Sequence, residues 1–163
     1  FFRYKNPIFS TSLLKKFLNK KTIKNSEFDY VFNYIDKTKF KKKTIDFVVY
    51  FKQHKNKEKL FNYELINKLI ELKFNIYCVG DQLTLKKVRN LGFLSKKNLN
   101  YLLSKTRYTI CSPENIYSLY TLDCINNNVK ILIQKNFNKN IYKYRKQFIF
   151  IRSDFKDLKV KVK

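Results

Sequence analysis

The chain has no Met, no Trp and no Ala, and its 163 residues include two Gly and two Pro. So little Gly leaves no room for a Gly-rich phosphate loop: GxGxxG and GxxxxGK[ST] are both missing, as is the HExxH zinc-protease signature. Cysteine is scarce too. Cys78, Cys111 and Cys124 form no CxxC pair and are odd in number, which points away from a disulfide framework and from a cysteine zinc site. Cys78 and Cys111 end apolar runs and read as small buried core residues, in keeping with a reducing, cytoplasmic compartment. No apolar run approaches the roughly 20 residues needed to span a bilayer, and no secretory signal pattern stands out. Acids are the remaining shortage, with 12 Asp plus Glu against 36 Lys plus Arg, a net charge of +24.

A charge of that size predicts attraction to polyanions: nucleic acid, anionic lipid or phosphorylated ligands. Two observations temper it. The abundance of Lys, Asn, Ile, Phe and Tyr follows the codons of an AT-rich gene, which raises Lys whatever the protein does. And five of the basic residues are Arg (Arg3, Arg89, Arg107, Arg145, Arg152), although Arg is the side chain suited to bidentate phosphate and base contacts. Hydrophobic residues make up 44% of the chain, enough for a packed core and against disorder.

Residues 1–43 are basic and weakly patterned, with a short amphipathic helix expected over 12–18 and a strand or short helix over 28–35. From Thr44 the pattern sharpens. Ile45 to Tyr50 is a β-branched and aromatic run that predicts a buried strand. After a polar loop, Leu65, Ile66, Leu69, Ile70 and Leu72 recur at helical spacing and predict a helix from about 58 to 73. Asn75 to Val79 is a second strand, ended by Gly80. A short helix through Leu83 and Val88 and a brief strand over 91–94 come next. Ser95 is placed to cap a helix carrying Leu99, Leu102 and Leu103. Arg107 to Cys111 is a strand, about 117 to 125 a helix, Asn126-Asn127-Asn128 its stop, and Val129 to Ile133 a strand. A further strand is expected over 147–151. Strands that alternate with helices, most of them continuous apolar runs, predict an α/β fold: a Rossmann-like parallel sheet with helices on both faces. The organisation expected is a basic segment 1–43 (a linker or the remnant of another domain), a Rossmann-like domain 44–134 and a basic tail 135–163.

In parallel sheets ligands bind beyond the carboxyl ends of the strands. Loops 51–57, 80–82 and 112–117 lie there. The first places Lys52 and Lys57 between a strand and a helix, where ammonium groups and a helix N-terminus together suit a diphosphate. Glu114 is one of few acids and follows Ser112-Pro113 into a helix whose first amides, Asn115 to Ser118, can bind an anion. Asp123 lies nine residues further on, and a carboxylate is a good acceptor for sugar hydroxyls. The plainer readings are that these are two more Lys in a Lys-rich chain and a helix-start acid facing the macrodipole. His54, the single histidine, has no acid or Cys partner in sequence for proton transfer. Tyr101, Tyr108, Tyr117 and Tyr120 read as core or rim aromatics.

In order and spacing, residues Ile45 to Ile133 resemble the C-terminal, donor-binding half of GT-B glycosyltransferases, most closely the retaining group 1 or family 4. The resemblance rests on a basic residue followed five positions later by Lys after the first strand, on Val79-Gly80-Asp81, on Asn90-Leu91-Gly92-Phe93-Leu94 before a Leu-rich helix, and on Ser112-Pro113-Glu114. It implies that Lys52 and Lys57 hold the donor diphosphate. It implies further that Gly80 borders the nucleotide, that base contacts lie near Gly92, and that Glu114 contacts the transferred sugar. The resemblance also implies that the amides of Asn115, Tyr117 and Ser118 reach the phosphates and that Asp123 holds the ribose. Asp123 sits one residue later than the family's second acid, and Asn115-Ile116-Tyr117 replaces its Gly-Phe-Gly.

The function implied is transfer of a sugar from a UDP- or GDP-sugar, without metal or other cofactor, to an acceptor the sequence does not identify. Lys52, Lys57 and Glu114 are the expected catalytic set. About 40 residues precede the match, so the chain is expected to be truncated or one of two separately encoded halves, with an N-terminal acceptor domain or partner chain supplying the rest. An anionic membrane surface is a further expected partner, with the protein peripheral to the inner face. The alternative is a basic RNA-binding or ribosome-associated protein.

Overall fold

The computed structural model describes residues 8–9, 26–27, 42–54, 58, 61–111, 118–134 and 145–162. The chain divides into two compact units, Phe1–Asp36 and Lys37–Lys163. In the first, strands β1 (Ile8–Phe9) and β2 (Ser26–Glu27) pair in parallel. The elements expected over 12–18 and 28–35 fall outside the described residues.

The second unit is α/β, with a six-stranded, all-parallel sheet flanked by helices, a Rossmann-like arrangement. Its strands are β3 (Ile45–Phe51), β4 (Ile76–Gly80), β5 (Val88–Asn90), β6 (Thr106–Ile110), β7 (Lys130–Gln134) and β8 (Phe148–Ile151). Helices α1 (Tyr63–Glu71), α2 (Lys96–Ser104) and α3 (Leu119–Asn126) lie between strands, and a short α4 (Leu158–Lys161) follows β8.

Phe47–Phe51 of β3 and Ile76–Val79 of β4 are continuous apolar and aromatic runs because both faces are covered. Side chains alternate across a strand, and two core clusters follow from that. Phe47, Val49 and Phe51 of β3 pack with Leu65, Ile66 and Leu69 of α1 and Leu158 of α4. Val48, on the opposite face, packs with Leu103 of α2 and with Tyr120, Cys124 and Ile125 of α3. Each fully buried side chain of this size contributes about 1.5–3 kcal/mol, so the helices are held by these stripes.

Helix ends follow their local chemistry. Asn62, Ser95 and Ser118 cap α1, α2 and α3, each side chain accepting from the amide three residues on. α1 therefore starts at Tyr63, five residues after the position its apolar spacing suggested. Its other end closes with Lys73 in the left-handed region, φ 64°, where Lys73 N–H donates to Ile70 and Phe74 N–H to Leu69. α3 ends the same way: Asn128 has φ 52°, its N–H donates to Ile125 and Val129 N–H to Cys124. The Asn126-Asn127-Asn128 stop is as expected.

Two expectations need correction. The residues through Leu83 to Val88 are not a helix, and the strand beside β4 is Val88–Asn90, three residues before the stretch 91–94. Asn90 decides this: its side-chain amide accepts from Leu83 N–H and donates to Leu83 C=O, closing the loop on itself. Leu91 and Phe93, whose apolar character suggested the strand, are exposed. Nor is the segment after 134 simply a tail. β8 pairs with β7 from Ile131↔Phe148 to Gln134↔Ile151, and Ile151, Phe155, Leu158 and Val162 belong to the core. The strand expected over 147–151 is this β8, Phe148–Ile151.

Candidate functional site

The sheet order is β5-β4-β3-β6-β7-β8. The chain runs outward from β3 to β5, then returns to the other side of β3 and runs outward again. The reversal falls between β3 and β6, and in open parallel sheets such a switch point leaves a crevice at the carboxyl ends.

The backbone opens at this point. β3 pairs with β4 to its last residue, Phe51↔Gly80. Its pairing with β6 runs over Ile45↔Thr106 and Phe47↔Tyr108, at the amino-terminal halves. Phe47 N–H donates to Asn75, and Phe51 C=O accepts from Asp81 N–H. From Phe47 to Phe51 the odd residues of β3 thus bond towards β4, and Val48 between them faces β6. There the buried Tyr120 hydroxyl donates to Val48 C=O at 2.9 Å and lies 3.1 Å from Thr109 Oγ1. A side chain from α3 takes a carbonyl that a neighbouring strand would otherwise serve. Burial pushes the Tyr120 hydroxyl well above the ordinary tyrosine range, so it stays a donor.

Along the chain, Lys52 and Lys57 come after β3 and Glu114 after β6. Lys52 directly follows β3. Its ammonium lies 3.7 Å from Asp81 Oδ2 and 5.2 Å from the centre of the Phe93 ring. The same Asp81 oxygen accepts from Gln53 N–H at 2.7 Å. The loops after β3, β4 and β5 therefore meet at one point, and neither Asp81 nor Phe93 was singled out from sequence. Asp81 carries a readable signal, an acid directly after a strand-ending Gly. Phe93 carries none apart from lying beside Gly92.

Gly80 and Gly92 end up in the same neighbourhood, with Gly80 N–H donating to Gly92 C=O at 3.0 Å. At Gly80 (φ 100°) a Cβ would lie 2.3 Å from the Phe51 carbonyl oxygen, so the strand pairing itself requires glycine here. Gly92 has φ 66° and open space around its Cα.

On the other side of the switch point, Ser118 Oγ accepts from Thr121 N–H at 3.2 Å and caps α3. Asp123 is nearly buried and ion-paired with Lys96, the first residue of α2. Its carboxylate thus ties two helices together on one face of the sheet. Lys57, Glu114, Asn115 and Tyr117 lie outside the described residues. The expected set is represented in the structure by Lys52, Gly80, Gly92, Ser118 and Asp123, of which the first three converge.

Elsewhere in the unit some of the positive charge is engaged with the backbone. Lys43 donates to Asn127 C=O at 2.8 Å and Leu103 C=O at 3.3 Å, bridging the carboxyl ends of α3 and α2, where a cation is favoured. Burial pushes its ammonium down to about 8. Lys130 donates to Lys146 C=O at 3.0 Å, and Lys161 pairs with Asp157 at 2.9 Å while donating to Phe150 C=O. Cys78, Cys111 and Cys124 are thiols, not disulfides. Burial raises Cys78 to about 11 and Cys124 beyond the ordinary thiol range, which makes both poor nucleophiles.

Among the described residues no group of three or more His, Cys, Asp or Glu could hold a metal ion, and no helix is long and apolar enough to cross a membrane. No protein-family model and no curated protein matches the chain.

Proposed function

We propose that this unit is the donor-binding half of a retaining GT-B glycosyltransferase, holding a UDP- or GDP-sugar across the carboxyl ends of β3 and β6. The observation that carries the reading is the switch point between those two strands. Of the connections in the sheet, the two that flank it are those in which Lys52, Lys57 and Glu114 occur. In this reading Lys52 and Lys57 neutralise the charge that develops on the departing diphosphate. Glu114 contacts the transferred sugar, and the amides from Asn115 to Ser118, ahead of α3, face the phosphates. The acceptor is bound by a second domain or partner chain.

The alternative, an RNA-binding or ribosome-associated protein, draws on the charge total. Part of that charge is engaged with the fold: Lys43, Lys130 and Lys161 each hold backbone carbonyls. That weakens the total as an argument for a polyanion partner.

The test is a titration with UDP-glucose and GDP-mannose followed by amide resonances. One of the two is expected to bind with a Kd of about 1 mM or tighter, a modest −4 kcal/mol, and Lys57→Ala and Glu114→Ala to weaken it. If neither nucleotide sugar moves any resonance, the donor-site reading fails.

A further inference from the structure

Two donors converge on one oxygen beside β3. Asp81 Oδ2 accepts from Gln53 N–H at 2.7 Å and faces Lys52 Nζ at 3.7 Å. A backbone N–H and an ammonium aimed at one point is the arrangement that binds a phosphate oxygen. The carboxylate is held there from behind: Asp81 N–H donates to Phe51 C=O at 2.9 Å, and the preceding Gly80 lies so close to that carbonyl that no larger residue fits. Asp81 cannot withdraw by a backbone shift without breaking the end of the β3–β4 pairing. Lys52 is free to swing, since its side chain is 42% exposed and rests against the ring of Phe93.

We propose that Asp81 is an internal counter-anion, whose carboxylate competes with the ligand's phosphate for Lys52 and the Gln53 amide and so sets the strength of anion binding at this edge. The proposal rests on the donor-site reading for the identity of the ligand, and on the Asp81 geometry for the competition. The pair is partly exposed, and such pairs are worth little. Asp81 therefore tunes binding without blocking it: Lys52 can exchange a carboxylate for a phosphate at small cost, and a weakly charged anion gains least from the exchange.

Asp81→Asn separates charge from structure, because the amide oxygen still accepts from Gln53 N–H. With inorganic pyrophosphate as probe, Asp81→Asn is expected to tighten binding about three- to fivefold at low salt, the size of an exposed ion pair, and less at high salt. In a Lys52→Met background the gain should fall below about twofold, since the competition acts through that ammonium. Asp81→Ser, which keeps a short acceptor, serves if the Asn variant does not fold. A gain that persists unchanged without Lys52, or binding that weakens or does not change in Asp81→Asn, overturns the proposal. A Lys52-dependent gain with pyrophosphate, but no binding of either nucleotide sugar, leaves the counter-anion standing and removes the donor reading. Nucleotide-sugar binding without the gain does the reverse, and the absence of both removes both.

Discussion

Replacing Tyr120 by Phe tests the opening of the sheet at its switch point. The substitution removes one oxygen and leaves the ring, which stacks on Tyr50 with centroids 5.4 Å apart. What is lost is the 2.9 Å bond to Val48 C=O and the 3.1 Å contact with Thr109 Oγ1. A typical intramolecular hydrogen bond contributes about 1 kcal/mol net, but a buried group left without a partner costs about 1–3 kcal/mol. Val48 is 0% exposed, so water cannot replace the hydroxyl, and the upper part of the range applies. The expected loss is about 2 kcal/mol, which lowers the melting temperature of a unit of this size by roughly 6–10 °C. The chain has no Trp, so urea unfolding followed by circular dichroism is the suitable assay. The midpoint should fall with the slope unchanged. Adding Thr109→Val should cost less than it does in the wild-type chain, since the Thr109–Tyr120 contact is already gone. A loss below about 0.5 kcal/mol, within the range of an ordinary surface substitution, would mean that Tyr120 does not serve the Val48 carbonyl, and the description of the β3–β6 opening would be wrong.

Two further predictions concern the helix ends. Lys73→Gly should stabilise the protein by about 0.5–1 kcal/mol, because the left-handed backbone costs a side chain about 1–2 kcal/mol and the added freedom of glycine in the unfolded chain returns part of it; thermal unfolding would show it, and a destabilised variant would refute the helix-end geometry. Lys43 should titrate near 8 against an ordinary value of 10.5, visible in the side-chain nitrogen resonance. Between those values the folded chain has released a proton that the unfolded chain keeps, so stability should rise with pH in that window, and Lys43→Met should flatten the rise.

The layered architecture was legible because strands covered on both faces are apolar at every position, as in Phe47-Val48-Val49, while α1 shows its stripe at helical spacing. Ser95 and Asn128 were legible because capping is decided within a few residues. The Val88–Asn90 strand was not: the apolar stretch beside it is exposed, and the strand's position depends on how the Asn90 side chain closes its own loop. The role of Asp81 is not legible in the sequence, because an acid is not what a phosphate site calls for. Its meaning depends on the bond from Gln53, 28 positions away. Asp123 was legible as an acid within a helix, but its pairing with Lys96, from a different helix, was not.

Local pattern in this chain therefore specifies the elements, their faces and the place of Lys52 directly after β3, since burial and capping act over short distances. Strand order is another matter. Strands that are apolar on both faces are each an acceptable neighbour for any other. The choice of β6 over β5 as the second partner of β3, and with it the opening that Tyr120 fills and the meeting of Lys52, Asp81 and Phe93, comes from packing between segments far apart in the chain.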